Sequence, residues 1–266
     1  MILALSTGWG VAAAAGAVTS YAVLALAASR LSHGFLRGAL FAAWFLHGIA
    51  LTEGLLGSPP RFGFAPALSM TAWLVLSVYA IQSRLFPQLK GHWALAGFGG
   101  LAVLLSIIFP GTEYHMVASM WLPLHWALGL ASYGLFAAAV VHAWLMGRAE
   151  KSMRLASGAE AGVPLLTLER LTFRFVEAGF LLLSATLLVG WLFAEQLHGP
   201  GLAAKWNHKT VFSVLAWLAF AGLLAGRAQL GWRGLKAVRV LYLGAGLLLL
   251  GYVGSRFVLE VILKRP

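Results

Sequence analysis

The chain contains no cysteine and no aspartate; all eight of its acidic residues are glutamates. Without cysteine there is no disulfide, thiol exchange, iron–sulfur cluster or thiolate ligand to zinc or iron. Without aspartate the paired-Asp sites that often carry protons or cations are missing, and a magnesium or calcium cage would have to draw on scattered glutamates. No P-loop lysine motif and no Ser–His–Asp arrangement is present, so neither nucleotide hydrolysis nor acyl transfer has residues to run on. Charge of any kind is scarce, at 10% of residues against 61% hydrophobic.

What fills the chain instead is apolar sequence, with a mean hydropathy of +0.85 over 266 residues. A bilayer core needs about 20 apolar residues per helix. Eight stretches approach that length, near residues 8–28, 38–56, 65–81, 93–109, 121–146, 173–193, 211–225 and 240–262. They show no alternation of period two, and backbone groups in lipid must be satisfied within the segment, so the runs are predicted to be helices. The expected fold is therefore all-α, a polytopic integral membrane protein of about eight transmembrane helices forming one domain over residues 1–266. The seventh run is the shortest, with Trp206–Thr210 a possible helical extension of it. The longest connection, 147–171, is too small for a soluble domain, and its Val163–Leu171 part reads as an amphipathic segment on the membrane surface. Met1–Trp9 lacks a positive n-region, so the first span is expected to be retained.

The net charge of +11 is mostly a topology signal. With eight spans, thirteen of the 19 Lys and Arg fall on the side of the loops after spans 1, 3, 5 and 7. The positive-inside rule then places both termini outside, in the periplasm of a Gram-negative cell. The expected location is the bacterial inner membrane, with the lipid bilayer as a partner. No basic cluster is interleaved with exposed aromatics, which excludes a nucleic-acid reading.

Histidines carry what chemistry remains. His33 and His92 lie at the inner surface, and His115 and His198 at or beyond the outer one; all four read as interfacial. His47, about mid-span 2, and His142, near the inner end of span 5, are either helix–helix hydrogen bonds or a second, intramembrane ligand site. His125 and His208 each begin a long helix on the outer side. Trp121 and Trp126 flank the first, and Trp206 and Phe212 the second. Two imidazoles at equal depth suit axial ligation of one haem iron with indole rings against the porphyrin; the alternative is an aromatic belt with incidental histidines. Lys209 and Arg256 are candidate partners for haem propionates. Arg174–Glu177 and Arg256–Glu260 have the spacing of ion pairs on a helix face.

Two segments, LPLHWALGLASYGLFAAAVVHAW (122–144) and WNHKTVFSVLAWLAFAGLLAGRAQLGWRGLKAVRVLYLGAGLLLLGYVGSRFV (206–258), resemble the CcsA-type cytochrome c assembly family. Within it they are most similar to the compact eight-span inner-membrane branch, the YpjD or HemX-like proteins. The likeness is clearest over 121–262. His125 with Tyr133 resembles the helix of the family's first external histidine. Trp206–Thr210 falls where the family has a tryptophan-rich motif ending in Trp-Asp-Pro-Lys-Glu. Trp206 and Lys209 keep their places, while Asn207, His208 and Thr210 stand for Asp, Pro and Glu. The resemblance implies a non-covalently held (b-type) haem, bound by external histidines and presented to apocytochrome c among the cytochrome c maturation proteins. Such a factor needs no cysteine of its own and is not an enzyme in the usual sense. Two other readings stay open: a scaffold or regulator using the same fold, for tetrapyrrole synthesis or another membrane protein, and a transporter using His47, Glu53, His142 and Glu177. The absence of an internal repeat or paired broken helices counts against the last.

Overall fold

A computed structural model describes residues 8–27, 30–57, 60–85, 92–113, 121–154, 164–194 and 207–263. Eight long helices run through them: α1 (Gly8–Ala27), α2 (His33–Leu56), α3 (Phe64–Leu85), α4 (His92–Ile108), α5 (Trp121–Arg154), α6 (Leu165–Leu192), α7 (His208–Leu230) and α8 (Gly234–Ile262). Seven are long and apolar enough to cross a membrane. The fourth has 17 residues, at the lower limit for a span. It, and not the seventh, is the shortest. Two short strands, β1 (Arg61–Phe62) and β2 (Thr112–Glu113), pair antiparallel, and Arg61 donates to Glu113 across them at 2.8 Å.

The chain packs as two compact units, one of Met1–His115 with Arg256–Pro266, the other of Met116–Ser255. In the first, α1 packs on α2 and α4, and α3 on α4. Small residues set the spacing. Gly99 and Gly100 of α4 hold Tyr21 so closely that a Cβ on Gly99 would come within 3.1 Å of its ring. Tyr21 is fully buried and reaches His47 Nδ1 at 3.3 Å, while Ser69 meets His47 Nε2 at 2.8 Å. The indoles of Trp44 and Trp73 stack at 5.0 Å, and Trp73 donates to the Trp44 carbonyl.

In the second unit α5 lies along α6, and α7 packs on α8 and α6. Phe136 of α5 stacks on Phe220 of α7 at 3.7 Å, and Gly244 of α8 leaves the room for the Phe220 ring. Tyr133 of α5 donates its hydroxyl to the Leu248 carbonyl of α8. Near that contact α8 widens: the Ser255 N–H reaches back five residues to the Leu250 carbonyl, and Leu263 does the same to Val258.

Three sequence expectations change here. The 147–171 connection is mostly helix, since α5 runs on to Arg154 and α6 begins at Leu165. Val163–Leu171 is thus not a separate surface segment: Pro164 precedes the first turn of α6, where a missing N–H costs nothing, and no breaker follows. Arg174 and Glu177, both exposed, make no ion pair with each other. The charges near the start of α6 pair across helices instead. Glu169 of α6, 15% exposed, accepts from Arg227 of α7 at 2.9 Å and lies 3.9 Å from Arg233. The Arg227 guanidinium rests 3.5 Å from the Phe173 ring centroid.

Candidate functional site

The helices of the second unit alternate in direction, so the starts of α5 and α7 and the end of α6 belong to one end of it. His125 stands one turn into α5 and is half-buried. It lies against Gly190 in the last turns of α6, where a Cβ would meet His125 Cε1 at 3.1 Å. Trp121, a turn earlier, stacks on Phe193 at 3.7 Å with the rings 10° from parallel. Trp126 is half-buried beside His125 in sequence.

His208 is the first residue of α7, and its side chain is exposed. Asn207 caps the helix: its side-chain oxygen accepts from the Thr210 N–H at 3.0 Å and from the Thr210 hydroxyl at 3.2 Å. The helix therefore does not extend through Trp206–Thr210 as a block; it starts at His208. Two of the polar residues in that stretch are accounted for by the cap. Lys209 places its ammonium 5.5 Å from the Tyr252 ring centroid. Gly251 lets α7 cross α8 closely there, with the Lys209 carbonyl and Phe212 Cβ at 3.6 and 3.2 Å from where a Cβ would stand. Trp206 lies outside the described residues.

The other candidates sort by unit. His47 is in the first unit, fully buried, with both ring nitrogens partnered as above. His142 is in the second, 3% exposed; its Nδ1 lies 2.8 Å from the Ala138 carbonyl and its ring 5.2 Å from Phe175. Its Nε2 has no hydrogen-bond partner among the described residues. Arg256 belongs to the first unit, 3.9 Å from Glu260, whose carboxylate is pressed against Gly63. Sequence reasoning passed over Gly190, Phe193 and Gly251. A glycine facing a histidine or a helix crossing leaves no periodic signal, although an isolated glycine inside an apolar run does mark a close approach.

Among the described residues no group of three or more His, Cys, Asp or Glu could hold a bare metal ion. A haem iron asks less of the protein, since the porphyrin supplies four nitrogens and two imidazoles complete the shell. His125 and His208 each bring an imidazole near a helix start at one end of the second unit.

Eight apolar helices define a multi-pass helical membrane protein. A family model described as "Cytochrome C assembly protein" matches residues 33–263, and the chain belongs to that family. It is 28% identical over 225 residues to the inner membrane protein YpjD of Escherichia coli, covering 81% of this chain and 83% of the relative. It is 33% identical over 200 residues to an uncharacterized 28.8 kDa protein of Azospirillum brasilense, covering 74% and 69%. A shorter match, 30% identical over 90 residues, joins 34% of this chain to 28% of a cytochrome c biogenesis protein, CcsA, of Prochlorococcus marinus. No solved structure matches the chain. The protein is thus a multi-pass inner-membrane member of the cytochrome c assembly family, and its role is haem-related in that general sense.

Proposed function

We propose that the chain binds haem at the outer end of its second unit, with His125 and His208 as iron ligands, and holds it for use in cytochrome c assembly. The observation that carries this reading is the contrast between histidines. His47 is spent on Tyr21 and Ser69 in a closed core, whereas His125 and His208 sit near helix starts at one end of one unit, half-buried and exposed. Trp121 and Trp126 offer flat apolar surface beside His125. Trp206 and Lys209 neighbour His208 in sequence, and Lys209 is the cation nearest along the chain to serve a propionate. An apocytochrome c is the natural recipient, because its own thiols supply the sulfur and a cysteine-free protein suffices to present the haem. The concentration of basic residues at the opposite end, on α5, α7 and α8, supports an orientation with the histidine end and both termini on the periplasmic side. His142, whose Nε2 has no hydrogen-bond partner among the described residues, is the remaining candidate for an intramembrane ligand.

The test is the absorption spectrum of the purified protein. Bound haem gives a Soret band that weakens in both His125→Ala and His208→Ala. A colourless preparation that also fails to take up added haem sinks the proposal. The second reading, a haem-free scaffold or regulator, draws on Asn207 and Lys209, whose capping and ring contacts explain part of the polar motif by packing alone. It predicts that colourless outcome together with a stable protein partner on purification.

A further inference from the structure

One acid of α6 is left over once its ion pairs are assigned. Glu169, near the helix start, is held by Arg227 of α7. Glu177, about two turns further on, is exposed, and neither it nor the exposed Arg174 pairs with any described residue. Their depth makes that costly. From Glu169 to Trp191, which is 77% exposed, α6 rises about 33 Å, close to the thickness of one hydrocarbon core. An ion pair at one level and an exposed indole at the other are what the two headgroup boundaries select. Glu177 then lies about 12 Å inside the nearer boundary. Arg174 can return its guanidinium to that boundary along its own stem, but the short glutamate side chain cannot. Charged groups inside spans face a partner or water rather than lipid.

The exposed residues around Glu177 mark out where that partner sits. Arg170, Arg174, Glu177, Leu181, Leu188 and Trp191 are all exposed and follow one another in steps of four, three or seven residues. That is the 3.5-residue period of a seam between two helices. A pair within α6 is the weaker choice, since a cation preceding its acid runs against the favourable order. Between two helices the same charges fit better. Two copies inserted the same way round are related by an axis along the membrane normal, which brings equal depths together. Arg174 and Glu177 differ by about 4.5 Å in height, within reach of an arginine side chain. The axis sets each beside the other's counterpart, so the stripe is complementary to itself, whereas a foreign partner must supply the same two charges in reverse. We propose that this face of α6 is a contact between two copies of the chain, with Arg174 of each paired to the partner's Glu177 inside the bilayer. Leu181 and Leu188 continue the seam toward Trp191.

The experiment co-expresses two full-length copies with different affinity tags, captures one tag in mild detergent and quantifies the other. Wild type captures wild type. Arg174→Glu on both copies, or Glu177→Arg on both copies, lowers capture about 10-fold or more, because like charges then face each other across the seam. An Arg174→Glu copy paired with a Glu177→Arg copy restores it, because every contact is again between opposite charges. Neither misfolding of the variants nor a pair within one helix produces that recovery. Cross-linking gives a second reading. The chain has no cysteine, so Leu181→Cys carries a lone thiol that oxidation joins to the same position of a second copy. Leu243→Cys, on α8 and 59% exposed, stays monomeric. Absence of wild-type capture overturns the proposal. So does a mixed pair that captures no better than either variant alone, or cross-linking at Leu243→Cys as complete as at Leu181→Cys.

Discussion

Replacing Gly244 by alanine probes the packing that holds the histidine-bearing helices in register. The ring of Phe220 is fully buried, stacked on Phe136 at 3.7 Å with the planes 5° apart. A Cβ on Gly244 would stand 2.7 Å from Phe220 Cε1 and 2.8 Å from Cζ. Contact between carbons is favourable only from about 3.5 Å, so helix or ring must shift by most of an ångström. The ring has Phe136 behind it and cannot retreat. Overpacking of this kind costs about 1–3 kcal/mol. Gly246, two residues along the same helix, has nothing within 4 Å of its Cβ position. There the same substitution meets no steric term and gains up to about 1 kcal/mol of helix propensity. Thermal unfolding in mild detergent should therefore rank Gly246→Ala at or above wild type and Gly244→Ala below it. Phe220→Leu in the Gly244→Ala background should recover part of the loss, since the branched side chain vacates the contact. Equal stability of the two alanine variants would refute the placement of Phe220 against Gly244, and with it the packing of α7 on α8.

Three more outcomes follow from named contacts. Glu169→Gln weakens the charged hydrogen bond to Arg227 and should cost about 1–3 kcal/mol; a double-mutant cycle with Arg227→Gln should show coupling, and strict additivity would contradict the pairing. Tyr133→Phe removes the hydrogen bond to the Leu248 carbonyl and should cost about 0.5–1.5 kcal/mol in unfolding, with no change if the hydroxyl is not engaged. His47→Leu should lower stability, because it strands Tyr21 and Ser69, and should leave any haem spectrum intact; loss of the spectrum there would move the site into the first unit.

The helices were legible because lipid removes the usual ambiguity: an apolar run of span length has one satisfactory backbone state. Their ends were less so. The polar residues of 147–171 suggested a break, but backbone hydrogen bonds carry α5 to Arg154 and start α6 at Leu165. Side-chain pairing misled in a similar way. Arg174 and Glu177 have the right spacing and do not meet, while Glu169 and Arg227, 58 residues apart, do. Helical spacing governs only neighbours on one helix, and pairing across helices depends on which faces pack. Of the site, His125 and His208 stood out as polar residues near span mouths. Gly190 and Gly251, which let their helices approach, carry no chemistry of their own to notice. The motif around His208 was half explained in advance: its histidine was read for its chemistry, but Asn207 was not read as the cap that a small polar residue before an apolar run commonly forms.

The central claim is that imidazoles at 125 and 208 hold a haem iron. The most direct measurement is chemical rescue: His125→Gly and His208→Gly, purified with added haem, followed by absorption spectroscopy before and after free imidazole. The account predicts that each variant loses the low-spin spectrum and regains it when imidazole fills the missing ligand position. A wild-type protein with no haem signal, or glycine variants whose spectra match wild type without imidazole, would contradict it.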